Sequence, residues 1–540
     1  MVIQSQYPSV DLPKTGLIQY LFSNSHNIPE HKEILIDVTT GQSLTYAQLK
    51  DNIFRFAAGL QDIVHFQKGD VLALFSPNQY DYPIPMLGAI AAGGATSPAN
   101  PAYTAHELAY QLSETKAKVL VAHQTNIETA LEAAKSVGLP PSHVFVFGGS
   151  VVKGIRPYSE LLVQRLAVPV EYNYEEAKDT VAILCFSSGT TGRSKGVMTT
   201  HANLTANTMQ YNAIEGPFMD AASDRTLGVL PFFHIFGLTV VLQFSIYWGT
   251  PVYVIPRFEL PLLLETIQKQ KITKACLVPP IILLLAKHPL IEKYDLSSLK
   301  VVTSGAAPLS ADLANEVGVR LPHTVFRQGY GLTETSPVTL MEPSDRTIPG
   351  STGLLVPNAL AKLVDENGKE VSGQEQGELW VKGPHVMKGY INNLEATAGC
   401  IDEDGYFHTG DVARMDENGY FFIVDRIKEL IKYKGFQVPP AELEALLLTS
   451  PMVADCAVIG VYDKSQATEI PRGYIVLKQG LERTEQAKAA LQKFVEERVV
   501  HYKRLRSIVF IDEIPKSPSG KILRRVLRDA SNNEQIKSKL

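Results

Sequence analysis

Val181-Ala182-Ile183-Leu184-Cys185-Phe186-Ser187-Ser188-Gly189-Thr190-Thr191-Gly192-Arg193-Ser194-Lys195-Gly196 is the stretch on which the reading of this chain turns. Its apolar first half predicts a strand. That strand feeds a loop in which Gly189, Gly192 and Gly196 let the backbone turn tightly and approach an anion closely. Backbone N–H groups in such a loop form an anion-binding nest. The hydroxyls of Ser187, Ser188, Thr190 and Thr191 can donate to phosphate oxygens, and Lys195 adds a mobile positive charge. The loop is not of the G-x-x-x-x-G-K-[ST] kind. Arg193 and Ser194 stand between Gly192 and the lysine, and a glycine follows it. A strand opening into this loop points to phosphate binding.

Outward from the loop, short strand-like runs alternate with helical ones. Residues 71–77, 95–100, 118–123 and 143–149 read as strands ending in turn residues; 57–64, 82–93 and 128–138 read as the helices between them. Such alternation predicts α/β architecture with largely parallel sheets. From about Pro349 to Asp425 the texture changes. Turns such as DENGKE, DEDGYF and DENGYF separate short strands, which predicts a β-barrel-like subdomain. After Asp425, the segments 439–450 and 484–502 read as helices, and 453–463, 473–478 and 507–515 as strands. Together they predict a small α+β C-terminal domain.

Composition bounds the function. With 540 residues, the prior is three or four domains or subdomains. A hydrophobic fraction of 45% excludes whole-chain disorder. A formal net charge of −5 offers no overall attraction to nucleic acid. Cys185, Cys276, Cys400 and Cys456 match no zinc spacing and no disulfide framework, so reduced thiols in an intracellular compartment are expected. The N-terminal residues lack the basic-then-apolar pattern of a secretory signal. The apolar stretch 238–255 is broken by Gln243, Ser245, Gly249 and Pro251. It reads as a buried helix running into a strand, not as a membrane span. The chain ends in Ser538-Lys539-Leu540, which matches a receptor-read peroxisomal address. A peroxisomal location and an import receptor as partner are therefore expected.

Further motifs follow in order: LPFFHIFGL at 230–238, SGAAPL at 304–309, QGYGLTETSP at 328–337, HTGDVAR at 408–414, DRIKELIKYKGFQVPPAELE at 425–444 and PKSPSGKILRR at 515–525. With the phosphate loop, they resemble the adenylate-forming superfamily of acyl-CoA synthetases, 4-coumarate–CoA ligases, insect luciferases and peptide-synthetase adenylation domains. The resemblance runs from about residue 180 to 525. The segment 425–444 is most similar to the coumarate-ligase branch.

That resemblance implies a large N-terminal domain, 1–425, of two α/β sheet subdomains plus the β-barrel-like one. A small mobile domain, 426–536, follows. It implies ATP, Mg²⁺ and coenzyme A as cofactors, a carboxylic acid as substrate, and a monomer or weak dimer. Ser187 to Lys195 would hold the β- and γ-phosphates, with Thr190 also counted as catalytic. Glu334 would associate with Mg²⁺, and Thr333 with the α-phosphate. Gln328, Gly329, Tyr330 and Ala306 would border the adenine. Asp411 would take the ribose hydroxyls, with Arg426 beside it. On the residues alone, Tyr330 also reads as a core aromatic, and Asp411 and Arg426 as surface charges. Lys521 matches the adenylation lysine, and a long cation there can bridge carboxylate and phosphate oxygens as charge shifts. His234 would stand near the carboxylate. Lys428 matches the hinge, Lys432 and Gln437 residues near the adenylate, and Lys434, Gly435 and Arg257 contacts to coenzyme A.

The acid pocket is expected from Phe236, Thr239, Val240, Cys276, Thr303, Gly305, Gly331, Ser336, Pro337 and Val338, with His234. Coumarate ligases commonly carry Tyr where Phe236 stands and Asn where Thr239 stands. The pocket therefore reads as drier, which favours an unsubstituted aryl or a medium-chain acid. Three alternatives remain open from sequence: a luciferase-type oxygenase, a module loading a carrier protein, and a non-catalytic acyl-adenylate-binding protein.

Overall fold

The computed structural model describes all residues except 1, 188–193, 435, 464–465, 467, 518–519 and 538–540. Most of the hydroxyls and glycines of the phosphate loop (Ser188, Gly189, Thr190, Thr191, Gly192), Gly435 and the C-terminal tripeptide lie outside them.

Two large sheets carry the α/β part. In the first, the strands Ala95–Ala99, Val71–Phe75, Val119–Ala122 and Val144–Val146 run parallel, and Val181–Ser187 joins them in parallel beside Ala95–Ala99. Lys195–Thr200 then returns antiparallel to Val181–Ser187. Every residue of Val71–Phe75 is buried. This is expected of a parallel strand covered on both faces, and it is why VLALF shows no polar alternation. The second sheet has nine strands. Its middle, from Val325–Gly331 through Val301–Ser304, Lys274–Leu277, Thr226–Gly228 and Val252–Val254 to Glu33–Asp37, is parallel throughout.

The helix Tyr46–Val64 shows how closely the layers approach. Thr45 accepts from the Gln48 N–H while the Gln48 side chain accepts from the Thr45 N–H, a reciprocal cap that sets the start of the helix. Further along, a Cβ at Gly59 would stand 2.0 Å from the Leu161 carbonyl oxygen. Only glycine permits this contact.

The third sheet is the barrel-like subdomain that the turn-rich segment predicted. Its antiparallel order is Ile3–Gln4, Leu360–Val364, Gly377–Lys382, Phe407–Met415, Phe421–Arg426. The two outer strands do not pair with each other among the described residues, so the sheet is an open half-barrel. One edge comes from the chain's N-terminus. That pairing spans more than 350 positions and leaves no local trace.

The apolar stretch 238–255 is a π-helical segment, Phe236–Gln243, then the helix Phe244–Trp248 and the strand Val252–Val254. Wide π turns recur at functional sites. Among the described residues no helix is long and apolar enough to cross a membrane.

Beyond Arg426 the chain forms the hairpin Ile431–Tyr433 and Phe436–Val438, then a sheet of Val453–Asp463, Thr468–Leu477 and Ser507–Phe510. The helices Pro440–Leu448, Glu485–Glu496 and Arg524–Lys537 accompany it. This unit has hydrophobic clusters of its own around Leu443, Leu447, Val458 and Leu491.

Gly59→Ala tests the helix packing. The forced contact should cost about 1–3 kcal/mol and lower the melting temperature. An unchanged melting temperature would contradict the approach to Leu161.

Candidate active site

A cavity of about 920 Å³ opens where the strands of both large sheets end. Ser187 closes Val181–Ser187, Thr303 and Ser304 close Val301–Ser304, and Gly329 to Gly331 close Val325–Gly331; all line it. Ligands of open α/β sheets bind outside the carboxyl ends of strands, because loops and helix starts gather there. The half-barrel adds Thr409, Gly410 and Arg426, and the C-terminal unit adds Lys516, Ser517 and Lys521.

The charged groups are arranged in pairs. Tyr330 donates its hydroxyl to Asp411 Oδ2 at 2.6 Å, and Arg426 Nε lies 3.2 Å from Asp411 Oδ1. Asp411 is buried, and burial together with its charge keeps the Tyr330 phenol protonated, well above the ordinary tyrosine range. Tyr390 donates to Glu334 Oε1 at 2.9 Å, and Lys195 Nζ sits 4.7 Å from the centre of the Tyr390 ring. Tyr390 thus stands between Glu334 and Lys195.

Lys521 reaches the cavity on a short loop. Its N–H donates to Ser517 Oγ at 3.1 Å, and Lys516 Nζ anchors the loop to Asp455 at 2.6 Å. Gly520 packs close to Val278 and Pro280 of the large part of the molecule. Burial pushes the Lys521 ammonium down to about 8; Arg426 adds to the fall, while Asp411, Glu334 and Glu429 oppose it. His234 is lowered to about 4 by burial and then by the Lys521 charge. Its Nδ1 accepts from the Phe236 N–H at 3.3 Å, so the neutral ring carries its proton on Nε2.

Several expected residues do come together here. Ser187, Lys195, Ala306, Gly329, Tyr330, Thr333, Glu334, Arg426, Lys428 and Lys521 line the cavity, with Asp411 directly behind Tyr330. The acid-pocket residues His234, Phe236, Val240, Thr303, Gly305, Gly331, Pro337 and Val338 line it too. Gly331 is obligatory, since a Cβ there would stand 1.8 Å from the Pro337 carbonyl oxygen.

Others stand away from the cavity. The Gln328 side chain turns inward, accepting from the Leu309 N–H at 2.6 Å and donating to the Ser351 carbonyl at 2.8 Å, so it braces two loops and does not line the cavity. Thr239 spends its hydroxyl on the Ile235 carbonyl at 2.7 Å, inside its own helix. Ser336 is fully buried beneath the cavity, and Cys276 lines a smaller chamber behind it. Lys432, Lys434 and Gln437 sit exposed on the hairpin and do not line the cavity; Gln437 instead reaches Glu366 at 3.4 Å. Arg257 is exposed and away from the cavity.

Tyr390 and Tyr211 were not legible. Tyr211 lies on the helix His201–Glu215, where 12 of 15 residues are buried although many are polar. A helix of mixed polarity that folds into the interior must spend its polar groups there, which is a signal only in retrospect.

The comparisons with known proteins agree with this geometry. A family described as AMP-binding enzyme matches residues 22–391, and its C-terminal domain family matches residues 442–521. The chain is 39% identical to a probable 4-coumarate–CoA ligase 1 of Dictyostelium discoideum, covering 97% of each. It is 40% identical to 4-coumarate–CoA ligase 3 of Oryza sativa subsp. japonica, covering 98% of this chain and 94% of that one. Among solved structures, ATP-bound MatB from Rhodopseudomonas palustris superposes with a TM-score of 0.85 at 28% identity, covering 95% of this chain and 98% of that one. A benzoate CoA ligase from Burkholderia xenovorans LB400 gives 0.84 at 25%, covering 95% and 99%. Strand ends, paired charges and family match converge, and the chain belongs to the AMP-binding, adenylate-forming enzymes.

Proposed function

We propose that this protein is an ATP-dependent acid–thiol ligase that joins a carboxylic acid to coenzyme A. In the first half-reaction a carboxylate oxygen attacks the α-phosphorus of ATP. The bond from that phosphorus to the bridging oxygen breaks, and pyrophosphate leaves with the acyl-adenylate formed. In the second, the coenzyme A sulfur attacks the acyl carbon, the thiol gives up its proton, and AMP leaves. The observation that carries this reading is Lys521. A half-buried cation faces Asp411 and Glu334 across the cavity, where a carboxylate and a triphosphate would otherwise repel each other.

The other roles follow from the same chemistry. Asp411 and Arg426 suit a ribose diol and its phosphate, and Tyr330 and Ala306 an adenine face. The Nε2–H of His234 can donate to the acid's carboxylate. Among the described residues no group of three or more His, Cys, Asp or Glu is placed to hold a metal. Glu334 is a hard oxygen donor in the cavity wall. That suits Mg²⁺, which takes few carboxylates when phosphates complete its shell and would neutralise phosphate charge there. The apolar walls, Phe236, Val240, Pro337 and Val338, support an aryl acid of cinnamate or phenylacetate type or a medium-chain acid.

Division at 425/426 into a large domain and a mobile one, with Lys428 at the hinge, accounts for Lys434 and Gln437 standing outside while Lys521 stands inside. Ser538-Lys539-Leu540 supports import into peroxisomes.

The test is acid-dependent pyrophosphate exchange across a panel of cinnamate, coumarate, phenylacetate and medium-chain acids, followed by coenzyme A. No exchange with any acid would sink the ligase reading. Lys521→Ala should abolish exchange yet still transfer a supplied acyl-adenylate to coenzyme A. Lys428→Pro should do the reverse, impairing thioester formation more than exchange. Equal losses in both steps would overturn the assignments.

A pH profile adds a separate check. The ammonium of Lys521 is present below its lowered value and lost above it. The kcat/KM for adenylation should therefore fall as pH rises through about 8. No limb should appear near pH 6.5, since His234 is neutral above about 4. A rate flat to pH 10 would contradict the role of Lys521. Removing the last three residues should leave a fluorescent fusion outside peroxisomes; unchanged import would refute the targeting reading.

A further inference from the structure

Behind the acid pocket lies a second chamber of about 30 Å³, room for little more than water. Tyr211, Val240 and Thr303 line both spaces and so form the partition between them. The chamber is charged. Arg327, 1% exposed, pairs with Glu215, itself 2% exposed, and Lys274 Nζ reaches the same carboxylate at 2.5 Å. Burial alone would raise Glu215; the charges of Arg327 and Lys274 overcome it and hold the carboxyl below its usual range.

The guanidinium is committed to fixed acceptors. Its Nε donates to Thr303 Oγ1 at 3.0 Å, one terminal nitrogen donates to Ser344 Oγ at 2.8 Å, and the other to Tyr211 Oη at 3.3 Å. Arginine has only donors, so the Tyr211 oxygen must be the acceptor of that bond. Thr303, whose oxygen is taken by Arg327, hydrogen-bonds to the same phenol oxygen. What Tyr211 has left to offer is its own O–H. Its ring is held edge-on against Phe244 at 4.7 Å between centroids, which fixes the place of the phenol oxygen. Burial, and then the Glu215 charge, keep the phenol protonated.

We propose that Tyr211, oriented by Arg327, is a specificity-determining residue that donates a hydrogen bond to an acceptor oxygen at the far end of the acid. The preferred acids then carry an ether, ketone or ester oxygen remote from the carboxylate. This rests on the acid-activating reading above and deepens it. The side walls are dry, as Phe236 and Val240 imply, but the far end is not. A hydrocarbon terminus would bury the Tyr211 donor without a partner, a cost a matched acceptor removes.

The experiment compares acids that differ only by oxygen in place of a methylene: 3- and 4-methoxycinnamate against 3- and 4-ethylcinnamate, and 6-methoxyhexanoate against octanoate. The readout is the ratio of kcat/KM for pyrophosphate release within each pair, using the full-length protein. In at least one pair the oxygen member should be favoured about tenfold. Tyr211→Phe should bring that ratio to within about twofold of unity. A general loss of structure would lower both members together and leave the ratio where it was. Ratios near unity in every wild-type pair, or a preference that survives Tyr211→Phe, overturn the proposal. Should Tyr211→Phe fail to fold, the wild-type ratios decide alone. If no acid of any pair releases pyrophosphate, the ligase reading has failed, and this proposal falls with it.

Discussion

Lys521 is an ammonium carried into a cavity that residues before 427 mostly build. Desolvation works against it, lowering it to about 8, and only Asp411, Glu334 and Glu429 pull the other way. A cation so placed is held by structure and not by local preference. Its loop is pinned through Lys516 to Asp455 and packed on Val278 and Pro280. Everything else in the site is arranged around that constraint. Asp411 is shared between Tyr330 and Arg426, Glu334 is held by Tyr390, and His234 is kept neutral by burial and by the lysine itself. Buried charge is tolerable where each group has a partner, and costly where it does not.

The same rule explains the second charged cluster. Glu215 is shared by Arg327 and Lys274 behind the acid pocket, Asp224 stands 3.7 Å from Lys274 as the second anion, and two hydroxyls at the partition are bound into the network. The first cluster lines the cavity at Lys521 and the second lies behind the partition of Tyr211, Val240 and Thr303, with the apolar walls Phe236, Pro337 and Val338 in the cavity as well.

Much of the architecture was legible. The parallel strands read as short apolar runs because both faces are covered, and Val181–Ser187 read as a strand from its apolar residues. Runs of neighbours along the chain carried the charged centre: Gly331 to Glu334, His408 to Asp411, Ser519 to Lys521. Single side chains were less legible. Gln328, expected beside the adenine, and Thr239, Ser336 and Cys276, expected in the acid pocket, do not line the cavity; Gln328 bonds to two loops, Thr239 to its own helix, Ser336 is buried and Cys276 lines the smaller chamber. A segment can be recognised from its spacing; the direction of one side chain within it depends on which backbone group accepts its hydrogen bond.

By itself, then, the sequence determined the alternating α/β order, the separate C-terminal unit and the short-range clusters of cations, hydroxyls and carboxylates, because those depend on periodicity and on neighbours in the chain. Only the tertiary structure decided which side chains meet. Ile3–Gln4 became an edge of a sheet built 350 residues away, Lys521 came to face Asp411, and Tyr211 met Arg327 across a 116-residue separation. Contacts of that span leave no mark on local composition. They exist because the sheets stack their strand ends at one place, and burial there forces each polar group to find whichever partner the fold brings within reach.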